Sequence, residues 1–353
     1  MGLLRVLLAV SVLMAHTGQL GKSPYLSGFG SANAIEAFFV ISGFYISLIL
    51  DKSYSTKIGF YRNRILRLYP IYFIICFFVI LRSLFLPSIR SDLFSYPGKA
   101  LALGSLANST FFGSDWIMFL QWHNNNLHFG NFENSEFPLW HMLFVPQSWS
   151  LGIEVTFYLL APLLCRAKSR TIIGLGLTLS LVRVLAYSKG LNSDPWTYRF
   201  FPFEMPMFIL GILIYRLKSY FKNPPKISVM QSYLMLVLLF FLFPLILQKS
   251  NLGRFIQLLV LLIITTLIII FGAESTKDKK LGEFSYPIYM SHILVITVYS
   301  TTIAKLSEKF IIFEKLNNPV GFATGSLLIT LLASYLLLHL VKPIERIRDV
   351  NRK

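Results

Sequence analysis

The chain has 353 residues, of which 55% are hydrophobic and 14% charged, and its mean hydropathy is +0.62. That composition excludes an ordinary soluble domain, whose surface carries roughly a quarter charged residues. A formal net charge of +17 would suggest nucleic acid in a soluble protein. Here Lys and Arg gather in short stretches between apolar blocks, as in the cytoplasmic loops of a multi-pass membrane protein, so no nucleic-acid partner is expected.

Taken in chain order, the apolar blocks predict about ten transmembrane helices, several of them reaching the roughly 20 residues that cross a hydrocarbon core. They run over 3–19, 33–50, 69–87, 149–165, 171–187, 201–217, 229–247, 255–272, 284–303 and 320–341. The first block could pass for a signal peptide. Arg5 lies inside its apolar run, however, and no small-x-small site precedes His16, so an uncleaved helix is expected. The fold class is an all-α membrane bundle: one domain over 1–345 and a basic tail over 346–353.

Charge then alternates between successive loops. One set holds Lys52, Lys57, Arg62, Arg64 and Arg67, then Arg166, Lys168 and Arg170, then Arg216, Lys218, Lys222 and Lys226, then Lys277, Lys279 and Lys280. The tail adds Lys342, Arg346, Arg348, Arg352 and Lys353. Placing this set in the cytoplasm puts both termini inside. It also requires segment 88–148 to begin and end outside, so the apolar stretch Ala100–Leu120 should not cross once. The polar, aromatic remainder of that segment reads as one long external loop over a polar substrate. Its His123, His128 and His141 lack metal-ligand spacing, and its Asn, Trp and His suit sugar contacts. Cys76 and Cys165 lie in or at the end of apolar blocks and read as packing residues.

Ionisable residues inside spans are costly and mark function. Arg5, His16, Glu36, Glu154 and His292 stand out. Arg5 and His16 are eleven residues apart on nearly one helix face, roughly 16 Å at the usual rise. Glu36 opens the second span at the depth of His16, where a carboxylate can orient an imidazole base. Its alternative is a carboxylate satisfying a helix dipole. Arg64 and Arg67 share a helix face; basic charge alone leaves them open between membrane anchoring and a phosphate grip. Ser150, Glu154 and Tyr158 follow one another at helical spacing, as do Tyr289 and His292.

The sequence resembles the acyltransferase family 3 membrane proteins. RVLLAVSVLMAH is similar to the family's Arg-x10-His, AIEAFFVISGFYIS to its acidic-x-Phe-Phe-x-x-Ser-Gly-Phe helix, and FYRNRILRLYPIY to its Arg-rich third helix. SWSLGIEVTFYLLAPLL and LGEFSYPIYMSHILV match two further segments in the same order. The chain departs from the pattern at Glu36, where Asp is frequent, and at its end, where Lys342 precedes Pro343.

This resemblance implies an acyltransferase that moves an acyl group, in the first place acetyl, from cytoplasmic acyl-CoA onto a sugar hydroxyl of the cell envelope in a bacterial inner membrane. It implies His16 as base, Glu36 as its acidic partner, and Arg5, Arg64 and Arg67 as donor-site residues. Ser42, Ser150, Glu154, Tyr158, Tyr289 and His292 are expected to bind substrate or support the site. The implied partners are acyl-CoA (acetyl-CoA), a polysaccharide or lipid-linked sugar, and membrane lipid; no metal is expected. A flippase for a lipid-linked sugar is the rival, but no inverted repeat or pair of broken helices is evident. A polyprenol-dependent glycosyltransferase would favour acidic pairs in the first outer loop, and residues 20–32 contain no acid.

Overall fold

The computed structural model describes residues 1–17, 27–52, 56–85, 98–123, 126–130, 139–221, 224–245, 251–309 and 318–350. Lys222, Arg352, Lys353 and the side chains of His123 and Arg348, all named above, lie outside the described residues.

A helix runs through each of the ten apolar segments. In chain order these are α1 (Gly2–His16), α2 (Ser31–Lys52) and α3 (Lys57–Phe85), then a short α4 (Gly98–Thr110). A hairpin of β1 (Leu120–His123) and β2 (Asn126–Phe129) follows. Then come α5 (Trp149–Leu164), α6 (Ser169–Ser188), α7 (Phe201–Tyr220), α8 (Val229–Leu242) and α9 (Asn251–Phe271). The chain closes with α10 (Thr276–Glu283), α11 (Ser285–Ser307) and α12 (Pro319–Val350). By length and composition α2, α3, α6, α9, the α10–α11 pair and α12 are each able to cross a bilayer. Their outward apolar side chains, such as Phe77, Leu84, Leu177, Leu181 and Leu332, are exposed, as lipid-facing positions must be.

The chain divides into two compact units. One joins Met1–Ile41 to Arg216–Arg346; the other joins Ser42–Tyr215 to Ile347–Lys353.

In the first unit α1 lies beside α10 and α11 and runs in the same direction as α11. At one end Gly2 and Gly282 meet without side chains: a Cβ on Gly282 would stand 2.9 Å from the Gly2 Cα. Asp278 caps α1 from outside the helix. Its carboxylate accepts the backbone N–H of Gly2 (2.7 Å) and Leu3 (3.0 Å) and the Tyr233 hydroxyl (2.9 Å). The orphan N–H groups of a helix start are thereby satisfied, and a negative charge sits at the positive end of the helix. At the other end Phe29 packs edge-on against Phe240 and Phe243. Its neighbour Gly28 has φ 55°, and a Cβ there would run into Phe240 and the Ser11 hydroxyl. The local signals in α8 are plain: Ser228 and Gln231 form a capping box.

In the second unit α5 stacks on α7 through Phe157 and Phe208, 4.2 Å between centroids. Gly43 of α2 lies on the backbone of Phe208, so closely that a Cβ would overlap its carbonyl. The sequence reading starts the third span at residue 69, but α3 begins twelve residues earlier and continues through Pro70. A proline inside a membrane helix is tolerated where neighbours satisfy the freed carbonyl.

Segment 98–149 carries structure of its own among the described residues. Asn108 in α4 donates to the carbonyls of Gly104 and Met142 and accepts the N–H of Phe144. Tyr72 of α3 donates to the Asn108 carbonyl. Phe111, Ile117, Phe119, Trp122 and Leu139 are buried. Thirteen residues of α4 rise only about 20 Å, too short for a single crossing.

Candidate functional site

Two polar clusters occupy the interior, one in each unit.

In the first, His16 ends α1 and His292 lies in α11, with ring centroids 5.0 Å apart and planes inclined by 56°. His16 is exposed and His292 is 0% exposed. Each ring is bonded to its own helix: His16 Nδ1 lies 2.8 Å from the Val12 carbonyl and His292 Nδ1 2.6 Å from that of Tyr289. A carbonyl only accepts, so both Nδ1 atoms carry the proton. In the neutral rings Nε2 is then the lone-pair nitrogen. His16 is thus held as the tautomer that can take a proton at Nε2, and the group that fixes it is the Val12 carbonyl one turn back.

Tyr289 packs 5.9 Å from His292 and 6.3 Å from Phe38 of α2, which brings α2 against α11 at this level. Glu36, two residues before Phe38, is fully buried, and its Oε2 lies 3.9 Å from Arg254 at the start of α9. Arg5 lies three turns back along α1 from His16, against the notch at Gly282, whose Cβ position is 3.3 Å from the Arg5 Nη1.

The second cluster gathers Ser42, Glu154, Tyr158 and Arg64. Ser42 and Tyr158 both donate short hydrogen bonds to Glu154 Oε1. Arg64, 3% exposed, stands over the rings of Phe60 and Tyr158 at 5.8 and 5.9 Å and donates to Asn63 (3.1 Å). Arg67 lies three residues beyond Arg64 on α3. Ser150 donates to the Gln147 carbonyl and closes the first turn of its own helix.

Several polar groups escaped the sequence reading. Arg183 and Glu204 lie inside two of the expected spans and form a buried ion pair at 3.3 Å. Arg183 also donates to the carbonyls of Phe203 and Thr197 and to the Tyr187 hydroxyl. Two opposite charges within apolar blocks were the available signal. Arg254 sits one residue before its apolar block and was passed over for that reason.

Asp115 follows α4 and reads as an unremarkable loop acid. It is 2% exposed, its Oδ1 has no hydrogen-bond partner among the described residues, and it abuts Gly152 of α5. Burial pushes its carboxyl up to about 7, against the smaller opposing effect of the Asp115 and Trp116 N–H groups. Beside it is an aromatic cluster of Trp116, Phe119, Phe129, Trp196 and Phe200, with Trp116 45% and Phe129 57% exposed. Among the described residues no group of three His, Cys, Asp or Glu is placed to hold a metal ion.

A family model described as an acyltransferase domain matches residues 1–339. The chain belongs to acyltransferase family 3. It is accordingly an acyltransferase enzyme of the membrane-embedded kind. Among curated proteins, O-acetyltransferase OatA of Staphylococcus aureus (strain NCTC 8325 / PS 47) is 30% identical over 206 residues, covering 54% of this chain and 30% of OatA. An uncharacterized protein of Aquifex aeolicus (strain VF5) is 25% identical over 218 residues, covering 58% of this chain and 89% of that protein. The chain thus spans under a third of the OatA length that it matches. No solved structure matches the chain.

Proposed function

We propose that this acyltransferase moves an acetyl group from cytoplasmic acetyl-CoA to a hydroxyl of a cell-envelope sugar, in a bacterial inner membrane that its ten helices cross with both termini in the cytoplasm. The observation that carries the reading is the His16 ring: open, tautomer fixed by Val12, with Nε2 as the lone-pair nitrogen. A neutral imidazole so held is suited to general-base work. His16 removes the proton of the sugar hydroxyl as its oxygen attacks the thioester carbonyl. The C–S bond then breaks, the thiolate leaves, and the proton passes from His16 to the sulfur.

The donor's phosphates fall to Arg5, Arg64 and Arg67, since guanidinium matches phosphate geometry. The eleven-residue separation of Arg5 and His16 on α1 is about the length of an extended pantetheine arm, roughly 16 Å by helical rise. Glu36, buried two residues before Phe38, is the acidic partner of His16 in this reading. On the acceptor side, the exposed rings of Trp116 and Phe129, beside exposed Asn126 and His128, offer flat faces and hydrogen bonds to a sugar. The printed name of the OatA relative supports acetyl as the group.

His16→Ala tests the reading in a strain lacking the native gene. The expected result is envelope glycans that have lost one acetyl mass per acceptor unit, with the variant still inserted at native abundance. Acetylation at the native level would remove His16 from the mechanism.

A further inference from the structure

His292 is the one imidazole in the first cluster that is wholly out of solvent, and a buried imidazole ordinarily has both nitrogens satisfied. Its Nδ1–H is spent on the Tyr289 carbonyl, yet its Nε2 has no hydrogen-bond partner among the described residues. An apolar side chain of similar shape would avoid that penalty. What faces the ring is the other histidine, 5.0 Å away centroid to centroid. The two rings have the same tautomer, so in the resting neutral state both Nε2 atoms are acceptors and neither can bond to the other. That changes when His16 gains a proton, because its Nε2 then becomes a donor.

We propose that His292 is the positioning partner of His16, its Nε2 accepting, directly or through one water, the N–H that His16 acquires from the acceptor hydroxyl. The proposal rests on His16 being the base. In the transfer step the hydroxyl proton goes to His16 Nε2 and the oxygen bonds to the acyl carbon. His292 holds the resulting imidazolium by a hydrogen bond and is itself unchanged. When the C–S bond breaks, the proton leaves His16 for the thiolate and the interaction lapses. His292 therefore binds the charged form of His16 and not the neutral one, which makes His16 a stronger base in the transition state without a second charge in the membrane.

Among the described residues, these titratable groups lie on the elements packed against the pair. Tyr289 lies on the same helix as His292 and presents its ring at 5.9 Å. From α2 comes Glu36, paired with Arg254 of α9. From α10, Asp278 is committed to the start of α1 at the far end of that helix. A pH effect that follows His292 must therefore be separated from titration of His16, Glu36 and Tyr289.

Two variants of the full-length protein, purified in lipid nanodiscs, test this with acetyl-CoA and an envelope-glycan acceptor. His292→Phe keeps a ring and removes the acceptor nitrogen. His292→Gln keeps an acceptor oxygen that does not titrate. A lost charge-assisted hydrogen bond predicts a fall in kcat of about tenfold or more for the Phe variant. The acid limb of its pH–rate profile should move to lower pH by about one unit, with the donor KM unchanged. His292→Gln should recover part of the rate. A merely structural His292 would lower the amount of active protein and leave the acid limb where it was. Native rate and native profile in the Phe variant, or an unmoved acid limb when it is slowed, overturns the proposal. If the Phe variant fails to accumulate, His292→Met, which also removes the acceptor nitrogen, is judged by the same criterion. Failure here leaves the His16→Ala result standing, whereas acetylation surviving His16→Ala would refute the base assignment itself.

Discussion

Replacing Asp115 by Asn should stabilise the fold at neutral pH and leave it little changed in acid. The carboxyl is buried, one oxygen lacks a partner among the described residues, and its pKa is pushed up to about 7. An unfolded Asp ionises near pH 3.9. Between these values the folded state binds the extra proton, so stability falls as pH rises through the window and stays low above pH 7. A shift of about three units at 1.36 kcal/mol each gives a full penalty of ~4 kcal/mol. At pH 5 only about 1.5 kcal/mol of it is present, so native protein should lose about 3 kcal/mol relative to Asp115→Asn between pH 5 and pH 8. Thermal unfolding of both proteins in one detergent, followed by tryptophan fluorescence across that range, reads the difference as several degrees. A Tm gap between the two that is constant with pH would show that Asp115 ionises normally and that burial does not hold it neutral.

Three further outcomes follow from packing and hydrogen bonding. Gly43→Val should prevent accumulation of folded protein, because a side chain there meets the Phe208 backbone. Gly174→Val should be tolerated, because nothing lies within 4 Å of its Cβ position, and size-exclusion chromatography of the two variants reads the difference. Glu154→Ala should cost about 3 kcal/mol by orphaning the Ser42 and Tyr158 hydroxyls. Glu154→Gln, which keeps an acceptor oxygen, should cost clearly less in the same melt.

Apolar run length made the ten helical segments legible, and charge placement made the basic stretches so. What escaped was set by groups that a side-chain pattern does not contain. The bond that fixes the His16 tautomer comes from a backbone carbonyl, Val12. The cap on α1 comes from Asp278, far along the chain. Helix α3 extends back over the Arg-rich stretch because Arg64 is buried beside Tyr158 of α5 and donates to buried Asn63, rather than being left in a loop. The equal spacing of Ser150, Glu154 and Tyr158 suggested one polar face. Only Glu154 and Tyr158 join the cluster with Ser42, since the Ser150 hydroxyl donates to the Gln147 carbonyl. The short helix and hairpin within segment 98–149 were not legible, because its buried aromatics are spaced irregularly, with no helical or strand period.

Buried polar groups in this chain separate by whether their own bonds account for them. Arg183 is spent on the carbonyls of Phe203 and Thr197, the Tyr187 hydroxyl and an ion pair with Glu204, and Asn108 uses both ends of its amide to tie α4 to neighbouring backbone. Such groups repay their burial through the contacts they make and need no ligand to explain them. Asp115 Oδ1 and His292 Nε2 do not fit that account. Each is a polar atom kept out of solvent with no partner among the described residues, where a smaller or apolar side chain would cost less. One lies next to exposed aromatic rings and the other faces the proposed base. A group held at a standing cost to stability makes physical sense where it becomes satisfied only during turnover, as proposed for His292 when His16 is protonated.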